Sequence, residues 1–371
     1  MKNSNTVSGT VLTIDLENLR HNYRYLRSKL KPDVKMLGVV KAVSYGSDAI
    51  AVANCLQHVG IDYLAVAYAE EGIALRENGI TIPILVLHPQ PHNFDLLIKH
   101  QLEPSLYSHR VLEMFALSTK KNQVKDYPVH IKYNSGLNRL GFADGDEKTI
   151  LSGCEKGSLM VKSIFSHLAA SEDMNEVDFT KKQINNFQSF SKNLIIELGY
   201  KPLLHQSNTS GILNYDSAHF DMVRTGIGLY GYGNDAKYDS NLKPVASLTS
   251  VISQIHQISK GSSLGYNRGF IAKENTKTAT IALGHADGIG RIYGNEKGFV
   301  IINGKRAPIL GNVCMDMLMV NVSDIECAEG EEVIIFNDVH SANDLAEAAG
   351  TISYELITGI GSRVKRILTN K

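Results

Sequence analysis

Eight short apolar runs, spaced by longer amphipathic stretches, constrain this chain more than any other feature. They read MLGVV (36–40), YLAVA (63–67), ILVL (84–87), PSLY (104–107), VHIKY (129–133), VKSIF (161–165), LLHQ (203–206) and MVRTG (222–226). Between them lie helical patterns. From Glu17 to Leu30, the side chains of Leu19, Tyr23, Leu26 and Leu30 share one stripe, with Asp15 placed to cap it, and Asn175 to Leu198 is a second long candidate. Strands alternating with helices build a parallel sheet, and eight strands is the number that closes a barrel. An open, doubly wound sheet is the rival, but no GxGxxG follows the first strand.

From about Val245 the texture changes. VASLTSVISQI, TATIAL, GFVIING, APILGN and EEVIIF are dense in β-formers and separated by Gly-, Asn- or charge-containing turns. The expected fold is therefore α/β: a (β/α)8 TIM barrel over residues 12–240, followed by an all-β C-terminal domain over 241–371 that also takes in residues 1–11.

Bulk composition removes several function classes. Lys plus Arg equals Asp plus Glu, 38 each, for a formal net charge of zero among 371 residues. That leaves no electrostatic case for a nucleic-acid or anionic-membrane partner, and it favours an oligomer over a lone monomer. No apolar run approaches the roughly 20 residues that span a bilayer. The start, MKNSNTVSGT, lacks the apolar middle of a signal peptide. Cys55, Cys154, Cys314 and Cys327 form no CxxC pair, so a reducing cytoplasm is expected. Thirteen histidines show no HxH or HExxH spacing, and Pro91 interrupts His88 and His92, so no metal is expected.

In a barrel of this kind, chemistry gathers at the C-terminal ends of the strands. Here those ends carry Lys41 and Tyr45 after the first strand, Lys132 in the fifth running into NSGLNRLGF with Arg139, Ser166-His167 after the sixth, His205 to Thr209 after the seventh, and Arg224 followed by Gly226-Ile227 after the eighth. A single histidine at a strand end is usually structural, and Asn-Thr-Ser is an ordinary helix cap. Strand after strand ending on such residues is a pattern. Thr209 at a helix start, with Gly226 and Ile227 after the last strand, lies where barrels bind phosphate. A phosphate cup and a lysine at another strand end suggest pyridoxal 5′-phosphate, whose aldehyde condenses with a lysine amine. Shielding that lysine from water lowers its pKa and frees the amine.

With these residues in place, the sequence resembles the alanine racemases, fold-type III pyridoxal-phosphate enzymes. VVKAVSYGSD, HIKYNSGLNRLGF, FSHLAAS, SNTSGI, VRTGIGLYG, LGYNRGF, GHADG, GNVCMDM and TISYE occur in family order across the chain. The resemblance implies interconversion of L- and D-alanine for peptidoglycan synthesis. Lys41 would hold the cofactor and act as the base on one face of the amino acid. Tyr266 would be the base on the other face, supplied with Met315 across the interface of a head-to-tail homodimer. Tyr45, Asn208, Thr209, Gly226, Ile227 and Tyr354 would hold the phosphate end. Arg139 would bind the phenolic oxygen and the substrate carboxylate, and Lys132, seven residues earlier, would be the lysine that relatives carbamylate. Arg224 would face the pyridine nitrogen with His205 behind it, and His167 would stack on the ring and link to Tyr266. The backbone of Met315 would meet the substrate carboxylate.

Racemisation needs two bases flanking a planar carbon, and a lysine and a tyrosine, each with an ordinary pKa of about 10, must be tuned to work near neutrality. The chain departs from the family at Val43, Ser44, Ser47 and Asp48, at Asn134, at Leu137-Asn138, and at His285, where a tyrosine at the mouth of the site is usual. The competing readings are a fold-type III decarboxylase, an idle cofactor-binding protein, and a racemase of other specificity such as serine.

Overall fold

The structure is a computed structural model that describes residues 9–370. The chain divides into two compact units. One takes its described residues from Met1–Glu17, Tyr45–Asp48 and Pro244–Lys371; the other comprises Asn18–Ser44 and Ala49–Lys243. Among the described residues, no helix is long and apolar enough to cross a membrane.

Strand β1 (Val11–Asp15) belongs to the first unit. The second unit is a closed parallel barrel of β2 (Lys35–Val39), β3 (Tyr63–Val66), β4 (Ile84–Val86), β5 (Glu103–Leu106), β6 (Tyr127–Lys132), β7 (Leu159–Phe165), β8 (Leu203–His205) and β9 (Met222–Thr225). These are the eight apolar runs. A parallel sheet is covered on both faces, so its strands read as continuous apolar segments, as the fully buried YLAV and ILV do here. Closure comes from β9 pairing with β2, with Leu37 opposite Arg224 and Gly38 opposite Thr225. Gly38 lets the helix Ala49–His58 and the loop after it settle against the sheet: a Cβ there would lie 3.2 Å from Leu56 Cδ1 and 2.7 Å from Ile61 Cδ1.

The helices follow their sequence signals. Asp15 Oδ1 accepts from the N–H of Glu17 at 2.8 Å at the start of Leu16–Arg27. The long helix Val177–Leu198 stops at Gly199, whose φ of 73° suits a residue without Cβ. Buried Asn22 ties the helix Leu16–Arg27 to the end of the barrel segment, donating to the carbonyls of Leu229 (3.0 Å) and Lys243 (2.7 Å).

The other unit is built on β10 (Ala246–Ile258), β11 (Ser263–Leu264), β12 (Phe270–Ile271), β13 (Thr276–Ile281), β14 (Phe299–Ile302), β15 (Lys305–Leu310), β16 (Leu318–Asn321), β17 (Glu332–Phe336) and β18 (Lys365–Thr369). Eight strands run in the order β13-β16-β15-β14-β17-β10-β1-β18, and β13 also pairs with β10. The 13-residue β10 serves three neighbours because its register shifts twice, next to β17 and next to β13. This unit is not purely β. Two short helices, Ala342–Ala348 and Ser353–Thr358, lie between β17 and β18.

Candidate active site

Directly after β2 the backbone turns left-handed. Ala42, Val43, Ser44 and Tyr45 have φ between 52° and 54°, and Gly46 has 79°, so Lys41–Gly46 is a left-handed helical turn. For L-residues this conformation costs about 1–2 kcal/mol each, so the surroundings must impose it. Within the barrel unit, Glu71 does much of this. Its Oε1 accepts from the N–H of Ala42 at 2.6 Å, while Oε2 accepts from those of Ala67 (2.7 Å) and Tyr68 (3.2 Å). Within the β unit, Gly46 packs so closely that a Cβ would lie 2.0 Å from the carbonyl oxygen of Ile357, and its own carbonyl accepts from Arg366 Nη2 at 3.1 Å.

Lys41 opens this turn. Burial, then the charge of Arg139, holds its amine below the ordinary lysine range, against the opposing pull of Glu71. A second amine stands deeper. Lys132, at the end of β6, is held far below its usual range by burial, then by Arg224 and Arg139, and its Nζ lies 4.7 Å from the centre of the Phe165 ring. His205 stacks on that ring, with centroids 4.9 Å apart and planes 4° off parallel, and the Arg224 guanidinium lies 5.3 Å from it.

Arg224 is the best-tethered of the basic groups. Nη1 donates to Nδ1 of His205 at 2.7 Å and to its carbonyl at 3.2 Å. Nη2 donates to the carbonyls of Ser166 (2.6 Å) and Gln206 (3.0 Å) and to Nδ1 of His167 (3.1 Å). Burial draws the guanidinium down to about 9, which leaves it cationic at neutral pH. Both histidines are pushed far below their ordinary range, first by burial and then by Arg224. Each is therefore a neutral ring with a lone pair on Nδ1 turned to the guanidinium.

At the ends of β8 and β9, two short helices begin at Thr209 and Ile227. Asn208 caps the first, its Oδ1 accepting from the N–H of Gly211 at 2.9 Å and from Ser171 Oγ at 2.7 Å. The N–H of Gly228 donates to Thr209 Oγ1 at 3.2 Å, and a Cβ on Gly228 would meet Thr209 Cγ2 at 2.6 Å. The glycine is what lets these two starts draw together into a cradle. First-turn N–H groups have no partner inside their helix, so the pair suits an anion. Lys41, Lys132, Arg139 and Arg224, together with this cradle, fit an anionic, phosphorylated carbonyl compound such as pyridoxal phosphate.

The barrel thus brings together Lys41, Lys132, Arg139, His167, Arg224, Asn208, Thr209, Gly226 and Ile227. The β unit holds the remaining expected residues. Tyr45 and Tyr354 face one another there, with ring centroids 6.2 Å apart. Tyr266 stands in the turn of the β11–β12 hairpin and is 73% exposed, its carbonyl accepting from Asn312 Nδ2 at 3.1 Å. Met315 is 58% exposed. Its loop is stitched to the GHADG segment, since the N–H groups of His285 and Ala286 donate to the carbonyls of Cys314 (2.9 Å) and Met315 (3.0 Å). Arg363 braces both segments through Asp287 (2.6 Å) and Asp316 (2.7 Å).

Glu71 and Phe165 did not stand out in the sequence. An acid in the first turn of the helix Ala69–Glu77 was the available signal for Glu71; Phe165 looked like any other core residue.

Residues 14–234 match the family profile "Alanine racemase, N-terminal domain", and residues 245–368 match "Alanine racemase, C-terminal domain". The chain belongs to the alanine racemase family. The alanine racemase of Thermodesulfovibrio yellowstonii is 35% identical over 361 residues, covering 95% of this chain and 96% of that protein. Among solved structures, the alanine racemase of Clostridium difficile 630 superposes with a TM-score of 0.91 at 32% identity, covering 98% of this chain and 97% of that one. The Bartonella henselae alanine racemase with covalently bound pyridoxal phosphate has a TM-score of 0.88 at 29% identity, covering 98% of this chain and all of that one.

Proposed function

We propose that this racemase interconverts L- and D-alanine with pyridoxal 5′-phosphate by a two-base mechanism, and so supplies D-alanine for peptidoglycan in the cytoplasm. The observation that carries the reading is the barrel's strand ends, where a lysine amine held below its ordinary range by burial and Arg139 follows β2, and the helix starts after β8 and β9 draw into a cradle. When bound, pyridoxal phosphate supplies an aldehyde that captures amines and a ring that withdraws electrons from the substrate α-carbon.

The residues of this chain do the rest. Lys41 binds the cofactor and, as a neutral amine, takes or returns the α-proton at Nζ on one face. Tyr266 of a second copy does so at its hydroxyl on the other face; its exposure on its own unit agrees with service to a partner. Thr209, Gly226 and Ile227 offer donors to the phosphate, Asn208 fixes the helix start they depend on, and Tyr45 and Tyr354 close the group. Arg139 would meet the phenolic oxygen and the substrate carboxylate, which the braced backbone of Met315 of the second copy would also meet. With its Nη groups already bonded within the protein, Arg224 has Nε–H left for the pyridine nitrogen; a guanidinium offers only donors, so that nitrogen would accept a hydrogen bond and stay unprotonated. Held so, the ring would be a weaker electron sink, which would favour proton return to the α-carbon over side reactions. His167, accepting from Arg224 at Nδ1, has its Nε2–H left to orient the tyrosine base. Lys132 as a carbamate would place a negative charge between two arginines.

The test is α-deuterium exchange measured together with racemisation across a panel of amino acids. Exchange with inversion, strongest for alanine, is the expected result. Carbon dioxide release would mean a decarboxylase, and cofactor binding without exchange an idle protein.

A further inference from the structure

We propose that Glu103 and His130 are positioning residues for Arg224, acting from the far end of the barrel through a hydrogen-bonded chain whose direction is fixed. Arg224 can only donate, so Nδ1 of His205, 2.7 Å away, must accept. A neutral imidazole accepting at Nδ1 carries its proton on Nε2, and Nε2 of His205 is 2.7 Å from Ser163 Oγ. Ser163 accepts there and gives its own proton to Nδ1 of His130 at 2.6 Å. His130 is left with a proton on Nε2, which it donates to Glu103 Oε2 at 2.7 Å.

The opposite order fails at both ends. A proton on His205 Nδ1 would point at a guanidinium N–H. A doubly protonated His130 would make Ser163 Oγ accept from both rings and leave the serine's own proton without an acceptor. His130, Ser163 and His205 are fully buried, so water cannot repair a misdirected bond.

The chain crosses the barrel. Glu103 is the first residue of β5, at the end of the strands away from the chemistry, and its side chain is 12% exposed. A cation thus stands at one end and a carboxylate at the other, with four aligned hydrogen bonds between them, an arrangement in which each bond polarises the next. The groups facing Glu103 are Tyr63 of β3, Tyr127 of β6 and Arg76 of the helix Ala69–Glu77, with Asp62 beside Tyr63. Burial and then Glu103 hold both tyrosine hydroxyls above their usual range, so neither competes as an anion. The carboxylate locks the His205 tautomer, and the His205 lone pair fixes the guanidinium plane. The kinetic consequence rests on the reading of Arg224 as the partner of the pyridine nitrogen; the direction of the chain does not.

The test combines histidine tautomers and kinetics on the holoenzyme. With 15N-labelled histidine, two-bond 1H–15N spectra should show both His130 and His205 with the proton on Nε2 and the lone pair on Nδ1. Ser163→Ala should leave His205 in mixed tautomers, and Glu103→Gln should do so for His130, because a carboxamide can donate as well as accept. Glu103→Asp, which keeps the carboxylate, should restore the wild-type spectrum. Racemisation by Glu103→Gln should fall roughly tenfold in kcat with KM nearly unchanged, the size expected for one charged hydrogen bond. Nδ1 protonation of either histidine in the wild type, or tautomers unmoved in both variants, would overturn the chain. Tautomers that move while kcat holds would overturn the positioning role. Expected tautomers in a wild type that racemises nothing would support the chain and refute the functional reading instead.

Discussion

The amine of Lys132 stands 4.7 Å from the centre of the Phe165 ring, and the charges that act on it, Arg224 and Arg139, have its own sign. Such a group is buried as a free amine, the form that adds to carbon dioxide. Holoenzyme kept under 13C-bicarbonate should show one protected carbamate signal that is missing in Lys132→Ala. Activity should fall in carbon-dioxide-free buffer and return on adding bicarbonate. An unmodified lysine in well-resolved density, with activity indifferent to bicarbonate, would rule the carbamate out.

Borohydride should fix the cofactor on Lys41 alone; a label found elsewhere would reassign the anchor. Tyr266→Phe should bind cofactor normally yet lose α-proton exchange from L-alanine by about 10²-fold or more, the usual size of a positioned acid–base group. Retention of both directions would require a different second base.

Acid should weaken the fold. His205 is buried, and its pKa lies far below the ordinary histidine value of about 6.5. Below that value the unfolded chain takes a proton that the folded one refuses. The stabilisation is thus complete above about pH 6.5 and drains away as pH falls toward the folded pKa, by about 1.4 kcal/mol per pH unit for each such proton. Urea midpoints taken from pH 7 down to pH 5 should fall, and the decline should be shallower in His205→Asn.

The left-handed turn makes opposite predictions at two positions. Val43 is β-branched, 57% exposed and held at a φ of 54°. Val43→Gly should stabilise by about 0.5–1 kcal/mol, the strain relieved less the entropy glycine adds to the unfolded chain. Gly46→Ala should destabilise by roughly 3 kcal/mol, because its Cβ meets backbone rather than a movable side chain. Chemical denaturation reads both.

Glu71→Gln keeps the shape but loses the charge and one acceptor oxygen. It should lower stability by about 1–3 kcal/mol through the bonds to Ala42 and Ala67. Because the Glu71 charge props up the Lys41 pKa, its removal should also shift the limb of the rate profile that needs a neutral amine toward lower pH.

The eight barrel strands were legible because a parallel strand buried on both faces must be apolar throughout, as ILV and YLAV are. The basic residues at their ends were legible because charge directly after such a run is conspicuous. Other features were silent for physical reasons. Ala, Val, Ser and Tyr have no preference for positive φ, so tertiary contacts through Glu71, Ile357 and Arg366 impose the left-handed turn, and no local pattern announces it. The helices Ala342–Ala348 and Ser353–Thr358 are too short to establish a period. His130 and Ser163 looked like single polar residues within apolar runs. The signal lay in the two-residue period: His130 shares a strand face with Lys132, and Ser163 with Phe165, so both point to the interior that Lys132 already occupied.

The turn from Ala42 to Tyr45 has one more consequence. Its backbone is, locally, the mirror image of an ordinary helical turn, so for a residue of opposite chirality it is the relaxed conformation. A chain assembled by peptide ligation with D-alanine at position 42 should fold at least as firmly as the natural one, where the same replacement in the helix Val177–Leu198 would break it. At this point in its own backbone, the proposed maker of D-alanine would accommodate its own product.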